Sequence, residues 1–129
     1  MPDLAAKKKR PVWYNLSPLK LPVPGLVSIF HRVSGVLLFF GLIWFLFLLD
    51  MSLASENGFA RFRTYLGHVP VKVAMLVLLW AYLHHLCAGV RHLFLDIDMG
   101  VELGAARASA FAVFVVSLAL TAILGAWLW

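Results

Sequence analysis

Only one of the 129 residues is a cysteine, Cys87, so the chain can form no internal disulfide and cannot hold a cysteine-ligated iron–sulfur cluster. Charge is almost as scarce. Asp, Glu, Lys and Arg make up 13% of the residues against 63% hydrophobic, a balance that excludes a soluble domain with a water-facing surface to cover. Acidic residues are the rarest, 6 against 11 Lys and Arg, which leaves a net charge of +5. Internal repeats and low-complexity segments are absent. No cleavable signal peptide is expected, because residues 1–24 are basic and Pro-rich, without an apolar core or a small-residue cleavage pattern.

What the sequence has instead is long uncharged runs. Residues 33–49, 73–90 and 108–129 contain no Asp, Glu, Lys or Arg, and each is near the length that crosses a hydrocarbon core of about 30 Å as a helix. The reading is an all-α membrane protein: one domain, 1–129, with transmembrane helices over about 28–50, 70–94 and 107–129. Lys7, Lys8, Lys9, Arg10, Lys20 and Arg32 precede the first run, whereas Arg61 and Arg63 in the following loop are offset by Asp50 and Glu56. This asymmetry puts residues 1–24 on the cytoplasmic side and, after three crossings, Trp127 and Trp129 at the opposite headgroup layer. The tract KKKR is read as a topology signal, so no nucleic-acid partner is expected. In SENGFARFRTYLG, Phe59, Phe62 and Leu66 fall at helical spacing, which suggests a short interfacial helix that packs without chemistry.

The polar groups inside the apolar runs are not scattered. His85, Gly89, His92 and Asp96 lie at i, i+4, i+7 and i+11, one stripe at 3.6 residues per turn. Ser28, Arg32 and Gly35 repeat at i, i+4 and i+7, with His31 beside them. Both stripes sit toward the same end of their helices, which implies a polar cavity or a cofactor site there. Arg32 and Arg91 can equally be anchors that snorkel to the membrane edge. His85 lies about 9 Å deeper than Arg91 by helix rise, too deep for that escape. It is either a helix-to-helix hydrogen-bonding residue or an axial ligand of haem iron, with Gly89 clearing the space that a flat macrocycle needs. Cys87 reads as a small apolar packing residue, and Ser117, Thr121 and Gly125 as a small-residue packing line on the third helix.

SIFHRVSG at the first helix, a histidine four residues before GVRHLFLD, and the earlier RPVWYNLSPLKLPVPGLVSI together resemble the cytochrome b556 family of succinate dehydrogenase membrane anchors, nearly end to end. The resemblance implies half of a heterodimeric haem-binding membrane anchor in a bacterial inner membrane. Electrons would leave succinate at a flavoprotein subunit, pass through an iron–sulfur subunit and reduce ubiquinone at the membrane surface. It also implies a haem b shared with a second small anchor subunit that supplies the other axial ligand. By that resemblance Ser28 and Arg32 line the quinone pocket, His31 lies near the haem propionates, and His85 is the axial ligand to haem iron. A hydroxyl and a guanidinium one turn apart suit a carbonyl oxygen that gains negative charge. His84 next to His85 cannot face the same iron, because neighbouring helix positions point about 100° apart; it is expected to bond a neighbouring helix. His92 shares His85's face of the same helix, and His31 is expected about 9 Å nearer the surface, so neither is assigned as the second ligand. Two alternatives stay open: a purely structural anchor, and the anchor of a related fumarate reductase.

Overall fold

The computed structural model describes residues 21–129, so the basic N-terminal segment and its expected sidedness lie outside the described residues. Four helices follow in order: α1 (Val23–Ala54), α2 (Glu56–Leu66), α3 (Val69–Asp96) and α4 (Leu103–Leu128). No strand occurs among the described residues. The boundaries follow from local chemistry. Pro24 and Pro70 occupy the first turns of α1 and α3, where a missing N–H costs nothing. Ser55 leaves helical geometry at the end of α1 and caps α2, its Oγ accepting from the Gly58 N–H at 3.0 Å. Glu56 in the first turn of α2 and Arg63 in its last complement the helix dipole. Asp98 and Gly100, with φ of 59° and 76°, turn the chain from α3 into α4.

α1, α3 and α4 are each long and apolar enough to cross a membrane. At 32 residues α1 is about 48 Å long, so it overruns a hydrocarbon core of about 30 Å. Packing depends on small residues. On α1 the buried positions are Val27, Ser34, Gly41 and Leu48, an unbroken seven-residue repeat. A Cβ on Gly41 would lie 2.8 Å from Leu78 of α3, and one on Gly125 only 2.6 Å from Leu76, so both glycines mark close approaches between helices. Ser117 is fully buried and Thr121 half-buried; their hydroxyls bond back to Phe114 and Ser117 carbonyls, which leaves no hydroxyl orphaned in the packed face.

The core is thin. Val27, Ala88, Ala110 and Val113 form it, with Cys87 and Phe114 packed alongside, while Phe39, Phe40, Leu46 and Leu53 of α1 are among many large apolar side chains left exposed. Exposure of this kind suits a chain solvated by lipid tails and by other subunits. At the end remote from His31, His85 and His92, the Lys72 ammonium bonds the Trp129 carbonyl at 3.2 Å and lies 4.9 Å from the Trp129 ring centre, joining the start of α3 to the end of α4.

Candidate functional site

α1 and α3 bring His31, His85 and His92 together. The His31 and His85 rings stack with centres 4.1 Å apart and 13° between planes, and His92 meets His31 edge-on at 5.1 Å. His85 Nδ1 lies 3.0 Å from the backbone carbonyl of His31 and 3.2 Å from Ser34 Oγ. A carbonyl can only accept, so Nδ1 carries the proton, and in a neutral imidazole the lone pair then resides on Nε2. Among the described residues Nε2 has no hydrogen bond. Two glycines shape the surroundings: a Cβ on Gly35 would stand 3.1 Å from His85 Cε1, and one on Gly89 would stand 3.5 Å from His31 Nε2. At Gly89 that distance is ordinary contact, so the His31 ring lies against the glycine without requiring it. His31 and His85 stack, His92 meets His31 edge-on, and no group of three His, Cys, Asp or Glu among the described residues forms a metal cage.

His31 and His85 are closer than the roughly 9 Å that helix rise suggested, with ring centres 4.1 Å apart, although His31 meets Gly89 and His92 while His85 meets Ser34 and Gly35. The reason is that rise fixes the spacing along one helix, while the relative slide of α1 and α3 fixes which rings meet across the interface. Ser28 is half-buried and Arg32 exposed, so the two share a side of α1 that this chain leaves largely open. His84 behaves differently from His85. It is fully buried, with Phe30, Trp80 and Phe114 ring centres 6.0, 5.2 and 5.1 Å away, and neither ring nitrogen has a hydrogen-bond partner. The inter-helix partner that His84 approaches is the Val27 backbone of α1, without the geometry of a full hydrogen bond, and its ring faces both α1 and α4.

Arg91 is no snorkelling anchor. Its side chain is buried, with Nε donating to Ser109 Oγ at 3.0 Å and an Nη to the Ala106 carbonyl at 3.2 Å, so it fastens α3 to the first turns of α4. Sequence reasoning passed over Ser34. Its position off the Ser28–Arg32–Gly35 stripe hid it, and its place in the buried seven-residue repeat was the available signal.

Residues 6–124 match the family described as succinate dehydrogenase/fumarate reductase transmembrane subunit. The chain belongs to that family. It is 37% identical to the succinate dehydrogenase cytochrome b556 subunit of Coxiella burnetii over 122 residues, which cover 94% of this chain and 98% of that one. Against the Rickettsia felis subunit of the same name the identity is 35% over 119 residues, 90% of each chain. Against that of Paracoccus denitrificans it is 32% over 115 residues, covering 86% and 85%. The chain is therefore a multi-pass membrane subunit of an oxidoreductase complex, and the three apolar helices are its membrane-spanning segments.

Proposed function

We propose that this chain is the haem-bearing membrane anchor of a succinate:ubiquinone oxidoreductase, with His85 as one axial ligand of haem b. The observation that carries the reading is the bond from His85 Nδ1 to the His31 carbonyl, which leaves Nε2 as the free donor. A ligating histidine needs its other nitrogen held in this way, and His84 has only a loose approach to the Val27 backbone in its place. The names of the relatives, cytochrome b556 subunits, agree with a b-type haem. When bound, the haem supplies a one-electron redox centre within the membrane. His85 orients that group, and His31, packed on the His85 ring, is suited to meet its propionates.

Ser28 and Arg32 form this chain's share of the quinone pocket. They are one turn apart, and Arg32 is open to what lies beside the chain, so other subunits supply the remaining walls. The hydroxyl and the guanidinium stabilise negative charge that builds on a quinone oxygen in a poorly solvated site. Succinate is oxidised in another chain: a flavoprotein subunit passes electrons to an iron–sulfur subunit, and a second small anchor subunit provides the other haem ligand. The excess of Lys and Arg before α1 places the N-terminus in the cytoplasm of a bacterial cell and the C-terminus in the periplasm, across the inner membrane. The pocket then opens toward the iron–sulfur subunit, which shortens the electron path to quinone.

The test separates quinone chemistry from succinate oxidation. In the purified complex, Arg32→Leu or Ser28→Ala should slow succinate-dependent ubiquinone reduction while reduction of a water-soluble dye and haem content stay near normal. Normal quinone kinetics in an assembled Arg32→Leu complex would refute the assignment.

A further inference from the structure

We propose that Ser34 is a positioning residue for the haem ligand, its hydroxyl serving as the second acceptor of the His85 Nδ1–H and setting the electron affinity of the haem. The inference rests on the reading of His85 as an axial ligand. Ser34 Oγ donates to the His31 carbonyl at 2.9 Å, which commits its single proton. Its lone pairs remain, and His85 Nδ1 lies 3.2 Å away. The His31 carbonyl cannot take the Nδ1–H unaided at full strength, because it already serves the α1 backbone and the Ser34 hydroxyl, and an sp² oxygen has two lone pairs. Ser34 completes a shared bond that one acceptor would leave weak.

Burial makes the contact count. Ser34 is 1% exposed, so no water substitutes for its hydroxyl, and a polar contact in low dielectric is felt strongly. An acceptor on Nδ1–H makes the imidazole a better donor at Nε2, which favours the oxidised state of an iron bound there. The two acceptors on Nδ1 also fix the tautomer and restrain rotation of the ring. A purely structural serine would be explained by its place in the buried repeat of α1, and alanine would serve there equally well.

The two roles separate in a redox titration of the purified complex followed at the haem absorbance, with the electron paramagnetic resonance spectrum of the oxidised haem as a second readout. Ser34→Ala should retain haem and raise the reduced-to-oxidised ratio about threefold at a fixed potential, a midpoint shift of about 30 mV upward for a one-electron couple. It should also alter the resonance spectrum. Haem retained with both readouts unchanged would overturn the proposal. Should Ser34→Ala lose its haem, Ser34→Thr decides: retention there supports the hydroxyl, and loss in both variants counts against it. His85→Leu is run alongside. Haem persisting in His85→Leu would refute the axial assignment itself, whereas haem lost in His85→Leu with a silent Ser34→Ala refutes only the role of Ser34.

Discussion

Adding one methyl group at Gly35 probes the proposed haem ligand, His85, without replacing it. A Cβ there would sit 3.1 Å from His85 Cε1 and 3.5 Å from Nδ1. Carbon atoms pack best at about 3.5–4.0 Å, so the ring must retreat by about 0.4 Å. The retreat stretches the Nδ1 contact with the His31 carbonyl from 3.0 Å to about 3.4 Å, and that with Ser34 Oγ from 3.2 Å to about 3.6 Å, where it no longer counts as a hydrogen bond. Losing about one neutral hydrogen bond costs about 1 kcal/mol. Alanine in place of glycine within a helix returns about 1 kcal/mol. The two effects nearly cancel in stability, so Gly35→Ala should assemble normally while the ligand is released from its restraints. The expected result is a normal yield of complex with a lowered haem-to-protein ratio or a shifted haem midpoint potential. Gly35→Val, which brings a branched side chain to the same contact, should lose haem altogether. An assembled Gly35→Ala complex whose haem ratio and potential both match those of the unsubstituted protein would refute the reasoning.

Substitutions at two further positions test the frame that holds the site. Gly125→Ala should be tolerated, because the clashing atom is the end of the flexible Leu76 side chain, whereas Gly125→Leu should destabilise the α3–α4 contact by about 1–3 kcal/mol in thermal denaturation of the purified complex. Equal melting of the two variants would contradict the close approach. Arg91→Lys keeps the charge but cannot reach both Ser109 and Ala106, so it should lower stability by about 1 kcal/mol, with faster proteolysis at the turn around Asp98. Unchanged proteolysis would mean that Arg91 does not fasten the two helices.

The number and placement of membrane-spanning helices could be read from the uncharged runs, because lipid forbids charge on an exposed helix face wherever the helix lies. The short helix α2 was visible for a related reason: Phe59, Phe62 and Leu66 share a helical face in a segment too short and too polar to span, between two runs that do. The pairing of the two polar stripes was legible only in part. Periodicity within a helix shows that His85, Gly89 and His92 share a face, but it does not give the slide of α3 against α1, and that slide sets the His31 ring on His85. Ser34 and Arg91 were missed or misread for the same reason, since their roles come from partners 51 and 18 residues away in sequence. His84 shows the opposite limit. Its sequence neighbourhood is almost that of His85, yet the one-residue offset turns it into an aromatic cage of Phe30, Trp80 and Phe114.

That offset permits the most direct measurement of the account: reduced-minus-oxidised absorbance spectra of complexes purified with His85→Leu and, separately, with His84→Leu. His84 has only a loose contact with the Val27 backbone to lose, so leucine there should leave the b-type spectrum intact. His85→Leu should abolish or strongly shift the same absorbance. A spectrum unchanged in His85→Leu but lost in His84→Leu would contradict the central claim that His85 holds the haem.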